Sequence, residues 1–476
     1  MAFMVMVCHS VVGQQQWPMA SGNRERTSWA SGENILHPPF AHIVNFVPDY
    51  EFPYNSLSIF KNILCTGLDN SPNKFYGIDM TTKDTLWSFV IPQSGGAVDF
   101  TAAQNDSLVF VGGQQGSGLY CLHRQSGAVK WFRKMGSLYT RNPILDDDRL
   151  YIISDSLYCF NIVTGDTVWT YPLNGQTTPA IDENKCYITT FGHTWAFDKF
   201  NGDIVWTRYN AHSVSCADIV DGPHLYNVSN DSVISRNKIN GEIEWVYKVP
   251  GVDLPWIGLN FVAVDDNVLA FTVWADADTL GEIYALNKTN GQYKWHHTFT
   301  EEGAFSPTIA NHVIYVVCWK EKKLYGFDEN NGNVLLEDNS YQYEGVQSVV
   351  YNHRLYIATS GSIIELWNDT PSVIKDPSEE KTQSGLTVFP NPSAGSLTIE
   401  YTLNDVSVVS ISVYNISGER TDLLAGHMAE PGNHRISLEP NQLPPGFYVC
   451  EARIAKGKSP ENETVLRTKF VVADEQ

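Results

Sequence analysis

Apolar and polar positions alternate in short runs along most of the chain, and one strand–turn–strand unit returns about every 40 residues. Each copy is an aromatic and apolar strand, a turn that usually holds Gly, and Trp four residues after that Gly. Full copies are Leu119–Leu122 with Gly127 and Trp131, Leu157–Phe160 with Gly165 and Trp169, Trp195–Asp198 with Gly202 and Trp206, and Ile283–Leu286 with Gly291 and Trp295. Gly241 with Trp245 keeps the turn and the indole. Two copies are degenerate: Phe75–Asp79 leads to Trp87 but has Lys83 at the Gly position, and Leu324–Asp328 keeps Gly332 but has Leu336 for Trp.

The Gly supplies the positive φ of a hairpin turn, and a Trp repeated at one place fills the gap between neighbouring sheets. Further strand pairs lie between the hairpins, turning at Asp146-Asp147-Asp148, Asp182-Glu183-Asn184 and Ala310-Asn311-His312. Four strands per unit make a β-propeller blade. Inner pairs occur eight times and outer hairpins seven, the last followed by the lone strand Ser362–Trp367. The fold predicted is all-β: a seven- or eight-bladed β-propeller, eight favoured, over residues 40–368, followed by a small C-terminal β-sandwich. In the eight-bladed form the segment His42–Val47 closes the last blade, which removes an exposed sheet edge.

The chain has 476 residues, 12% aromatic and only 18% charged, with a formal net charge of −21. That acidity argues against sequence-independent nucleic-acid binding, which needs clustered Lys and Arg. Eight Cys show no CxxC and no zinc spacing, so they read as buried thiols; a Cys186–Cys216 disulfide stays open. Residues 1–16 look like the apolar part and exit of a secretory signal, with cleavage expected near Gly13. No other run is long and apolar enough to predict a membrane span.

After Trp367 the pattern changes. Residues 369–384 are polar and Pro-containing, a linker. Residues 385–476 alternate again, as in Leu397–Tyr401 and Val408–Val413, without the Gly-x-x-x-Trp pattern. Val388-Phe389-Pro390-Asn391-Pro392 with Gly395, then Ile411–Gly418, Leu443–Tyr448 and Thr468–Val472, resemble in order the motifs of a type IX secretion C-terminal sorting domain. The resemblance implies export across the outer membrane of a Bacteroidetes-type bacterium, with the type IX machinery as partner. The chain runs on through Ala473–Gln476 past that family's usual basic end.

The blade motif is similar to the pyrroloquinoline-quinone-like propeller repeat. That repeat serves quinone-dependent alcohol and sugar dehydrogenases as well as non-catalytic propellers, among them a lipoprotein that assists outer-membrane protein assembly. The alcohol-oxidising family adds a vicinal Cys-Cys ring, calcium ligands and an Asp base. This chain has no adjacent Cys pair, and its acidic runs fall in turns, where Asp is a turn former. Asp276 and Asp278, in an irregular insertion, are the more open candidates for metal, and His296-His297 reads as a sheet residue pair. With no Gly-x-Ser-x-Gly and no His-Glu-x-x-His, no catalytic, cofactor or metal residue is assigned.

Propellers bind on the face of the loops that enter each inner strand and leave the second one. On that face Tyr139, Arg141, His212, Trp256, Trp274 and Tyr343 are the candidate partner-binding residues, because exposed aromatics and Arg anchor recognition. The expectation is a secreted or surface-attached non-catalytic propeller that binds or scaffolds an extracellular protein or glycan. The alternatives are a quinone-dependent dehydrogenase with an atypical site and a periplasmic outer-membrane assembly factor.

Overall fold

A computed structural model describes residues 16–46, 57–68, 74–92, 101–113, 118–136, 142–173, 177–190, 192–210, 217–228, 232–250, 262–273, 280–301, 303–343, 347–359, 362–368, 386–389, 393, 396–403, 405–415, 420–438, 442–456 and 463–472. The chain divides into two units, Met1–Pro371 and Ser372–Gln476. The signal-like residues up to 15, the linker 369–384, Asp276 and Asp278 lie outside the described residues.

The first unit is eight antiparallel sheets in chain order, the eight blades of a propeller. Blade 4 shows the plan: Ala180–Ile181, Lys185–Thr190, His193–Asp198 and Ile204–Tyr209 pair successively, from the axis outward. The second strand is buried from Cys186 to Thr190, and the outermost strand is exposed at Ile204 and Val205 but buries Trp206. Blade 8 contains Val349–Tyr351, Arg354–Thr359 and Ser362–Trp367, and its fourth strand is His42–Phe46 from the other end of the chain. Eight blades closed by an N-terminal strand therefore match the expectation.

The recurring Gly-x-x-x-Trp encodes a lock between blades. Each indole packs under the turn Gly of the next blade: Trp87 under Gly127, Trp131 under Gly165, Trp169 under Gly202, Trp206 under Gly241, Trp245 under Gly291, and Trp295 under Gly332. Gly202 shows why no side chain is tolerated there. Its φ is +79°, and a Cβ placed on it would lie 2.7 Å from Trp169 Cδ2. Five of the six indoles also donate Nε1–H to a backbone carbonyl of the next blade, as Trp169 does to Lys199 at 2.9 Å. Burying one indole contributes on the order of 4 kcal/mol. Both degenerate copies sit beside blade 8. The fourth strand of that blade is His42–Phe46, which holds no Trp and is not joined to the third strand by a hairpin, so the pattern has no partner at Leu336 or Lys83.

Six cysteines, Cys65, Cys121, Cys159, Cys186, Cys318 and Cys450, are buried free thiols, so Cys186 forms no disulfide; Cys8 and Cys216 lie outside the described residues. Burial pushes the Cys121 thiol up to about 12 and Cys159 to about 11, so both are held as packing groups.

The second unit has a three-stranded sheet and a four-stranded sheet. The first contains Leu386–Phe389, Leu397–Leu403 and Gly432–Leu438; the second contains Arg420–Ala429, Ser407–Asn415, Gly446–Lys456 and Glu463–Val472. Leu397–Leu403 alternates buried and half-buried positions, as its sequence predicts. Ile399 and Tyr401 from one sheet share a core with Val409, Ile411, Cys450 and Ala452 from the other.

Candidate functional site

The axis of the propeller holds a feature absent from the repeat pattern. Innermost strands leave N–H groups on their free edges, and those groups need acceptors. Residues Trp17–Ala30 supply them almost blade by blade. Trp17 exchanges both backbone bonds with Ile59 of blade 1, each 2.7 Å, and Pro18 accepts from Gln104 of blade 2 at 2.8 Å. Arg24 accepts from Ile181 of blade 4, Glu25 from Val220 of blade 5, Thr27 from Val264 of blade 6 and Ser28 from Ile309 of blade 7, at 2.8–3.0 Å. Trp29–Ala30 then runs parallel beside Thr308–Ala310 of blade 7. At blade 8 Gln347 donates to the Ser28 hydroxyl at 2.9 Å, and Glu33 lies 3.0 Å from His353.

Among the described residues blade 8 is met through side chains alone, and blade 3 departs further. There the segment bulges through Ser21 and Gly22, both at positive φ, and no carbonyl of it meets the Leu145 N–H. The Arg24 guanidinium bonds Asp146 instead, beside a shallow depression of about 400 Å³ lined by Gln16, Pro18, Met19, Arg24, Leu145 and Asp147. Trp17 and Arg26 are each 1% exposed, so this plug is packed as tightly as the blades.

Buried charge collects around the plug. Asp218, at the entry to the inner strand of blade 5, is fully buried and accepts from the Thr189 hydroxyl of blade 4 at 2.7 Å. Burial pushes its carboxyl up to about 7, against the pull of Thr189, Arg236 and Arg26. Two of the acidic turns in the sequence, at Asp146 and Asp182, form interblade bridges, and Asp221 forms a third. Lys199 of blade 4 meets Asp146 of blade 3 at 2.6 Å, Lys238 of blade 5 meets Asp182 of blade 4 at 3.2 Å, and Lys288 of blade 6 meets Asp221 of blade 5 at 2.7 Å. Among the described residues no three His, Cys, Asp or Glu side chains are grouped to hold a metal ion. His297 packs against Phe299, Tyr325 and Phe327, and burial lowers its pKa, as for a sheet residue.

Residues 17–30 thus run along the inner strands at the axis, bonded to them through backbone carbonyls.

Of the candidate partner-binding residues, Tyr139, Arg141, His212, Trp256 and Trp274 lie outside the described residues. Tyr343 is described and corrects the expectation of an exposed anchor: it is 0% exposed. Its hydroxyl donates to Asp338, its backbone bridges Thr359, and its ring meets Tyr341, which commits it to the joint between blades 7 and 8. The residues that sequence reasoning missed are those of the plug. Trp17 and Trp29, two indoles in an otherwise polar stretch, were the available signal.

Fold and plug together define a closed eight-bladed repeat propeller joined to a small β-sandwich. Residues 71–180 and 258–374 match the family described as outer membrane protein assembly factor BamB, and residues 387–465 match the secretion system C-terminal sorting domain. The chain thus carries pyrroloquinoline-quinone-like, BamB-like propeller repeats followed by a C-terminal sorting domain. It is 25% identical over 288 residues to the outer membrane protein assembly factor BamB of Shewanella oneidensis, covering 55% of this chain and 68% of that protein. The crystal structure of BamB from Moraxella catarrhalis superposes with a TM-score of 0.54 at 18% identity, covering 70% of this chain and 99% of the other. The quinohemoprotein alcohol dehydrogenase of Comamonas testosteroni gives 0.59 at 10% identity, covering 74% and 80%. At these identities the structural matches show the fold alone. The sorting domain implies handling by secretion machinery and a secreted or cell-surface protein.

Proposed function

We propose that the protein is a non-catalytic propeller, exported through its C-terminal domain by the type IX machinery, that binds or scaffolds an extracellular protein or glycan. The observation that supports this reading is the plug: residues 17–30 bond the inner strands of six blades, so the inner edges around the axis serve the structure of the ring. A closed ring of this kind presents its loops as a rigid recognition surface. The test is titration of the purified protein with pyrroloquinoline quinone and calcium, with dye reduction followed on simple alcohols. No stoichiometric quinone uptake and no dye reduction are expected. Saturable uptake with turnover would establish the dehydrogenase instead.

A second reading, a periplasmic assembly factor, is favoured by the BamB match. Fractionation of the native organism, with both mature termini read by mass spectrometry, separates the two. Export predicts loss of the region after about Ser384 in surface or medium fractions; an intact C-terminus in the periplasm would favour the assembly role.

A further inference from the structure

The interblade bridges break their own pattern at one seam. In three successive seams the residue after the turn Asp or Asn is Lys, and it reaches back to an Asp of the preceding blade: Lys199 to Asp146, Lys238 to Asp182, Lys288 to Asp221. The next position holds Glu329, and the acid that faces it is Asp265. Glu329 reaches the turn that carries Asp265, since Asn267, two residues on, donates Nδ2–H to it at 3.1 Å, and each carboxyl shifts the other's titration. Glu329 Oε2 is buried with no N–H or O–H donor on it, while Oε1 takes Asn267 Nδ2 at 3.1 Å and meets His312 Nδ1 at 2.8 Å. Asp265 Oδ1 already accepts from the backbone N–H of Asn267 and Val268 at 2.8 and 2.7 Å. Two carboxyl groups bond each other only through a proton, and a buried like-charged pair is costly without one.

We propose that the Asp265–Glu329 pair is a proton-operated latch between blades 6 and 7, closed when the two carboxyls share a proton and loosened when that proton leaves. The plug crosses this seam, with Thr27 bonded to Val264 on one side and Ser28 to Ile309 on the other, so the latch also clamps the plug.

The charged groups around the pair fix the direction. The blade 6 turn adds Asp266, which is exposed and 4.0 Å from Lys288; blade 7 adds His312 and Asp328; the plug contributes Thr27 and Ser28, neither charged. Burial, and then the Glu329 carboxyl, raise Asp265 from 3.8 to about 7. Its stabilising contribution is therefore full below about 4, declines as pH rises and is lost above about 7. His312 is raised above 6.5 by its bond to Glu329, so it too loses its contribution as pH rises through its folded value, in the same direction. Burial opposes ionisation of Glu329, but Asp265, His312 and Asn267 hold it below 4.5, so its own titration lies at more acid pH.

The test is hydrogen exchange by mass spectrometry on the full chain between pH 5.5 and 8.5, corrected for intrinsic exchange. Peptides over 262–268 and 323–334 are read against the blade 3–blade 4 seam, where Lys199 holds Asp146. Opening of the blade 6–blade 7 seam is expected to increase by up to about tenfold per pH unit up to about pH 7, the slope of one proton, and to level off above it, with the control seam unchanged. Asp265→Asn mimics the protonated acid and is expected to remove the Asp265 part of the rise, leaving only that of His312, whereas Glu329→Lys, which restores the Asp–Lys pattern, is expected to remove both. An equal pH response in the unaltered chain and in Asp265→Asn would overturn the latch, as would a seam that does not respond to pH.

Discussion

The six seams from blade 1 to blade 7 and the two seams that flank blade 8 solve the same packing problem in different ways. The six regular seams use an apolar wedge, an indole seated under a glycine turn of the next blade. At blade 8 the fourth strand comes from the N-terminal end of the chain, so there is no outer hairpin and no turn for a wedge to enter. The blade 8–blade 1 seam uses charge instead. Glu365, 2% exposed, takes Lys83 of blade 1 at 2.9 Å, the Tyr356 hydroxyl at 3.0 Å and the Arg354 guanidinium, while Arg354 lies over the Trp367 ring at 4.3 Å. An indole wedge requires a turn made in register with it. An ionic cluster requires only that two separately delivered chain segments arrive at one place. The departures from the repeat at Lys83 and Leu336 are thus consequences of how the ring closes.

This contrast can be broken first at its apolar half. Trp206→Ala should cost about 4 kcal/mol in urea unfolding of the propeller, whereas Leu336→Ala, at a half-buried position with no turn to fill, should cost about 2 kcal/mol. Equal losses at both positions would remove the distinction between seams. At the charged half, Glu365→Gln should cost about 3 kcal/mol, because it leaves Lys83 and Arg354 facing a neutral group. Burial opposes ionisation of Glu365, but Lys83 and Arg354 hold it below its ordinary 4.5. Its contribution is therefore full above about 4.5 and is lost as the pH falls through its lower folded value. The unaltered protein should weaken in acid more steeply than Glu365→Gln; parallel acid profiles would contradict the assignment. The finest distinction lies within the regular seams. The Trp206 indole donates to Lys238 at 3.1 Å, whereas Trp245 Nε1 has no partner. Trp206→Phe should therefore cost about 1 kcal/mol more than Trp245→Phe.

Much of the propeller was legible because its signal is local and repeated. The positive φ of Gly127, Gly165 and Gly202 and the burial of Trp131, Trp169 and Trp206 follow from one motif read in register. Even the closing strand His42–Phe46 showed itself, as a leftover strand before the first blade. The second unit was equally legible, since Leu397–Leu403 alternates as a half-buried strand must.

The plug was not legible, because it acts through backbone carbonyls, and every residue except the nature of its φ offers the same carbonyl. Pro18, Arg24, Glu25, Thr27 and Ser28 do one job with five different side chains. Tyr343 failed for a related reason: an aromatic in a loop segment reads as exposed, and only the joint between blades 7 and 8 buries it. The Asp265–Glu329 pair was in plain view as residue types, but its meaning needs the three neighbouring Asp–Lys bridges to be known as equivalents.

The central claim is that residues 17–30 seal the axis, and amide hydrogen exchange reads it directly. The chain beginning at Gln14 is compared with one beginning at Ser31. The account predicts protection at Gln104, Ile181, Val220, Val264 and Ile309 in the longer chain, and loss of that protection in the shorter one. Leu145, which no plug carbonyl reaches, should exchange alike in both. Protection at the five amides that does not depend on residues 14–30, or fast exchange there in the longer chain, would contradict a sealed axis.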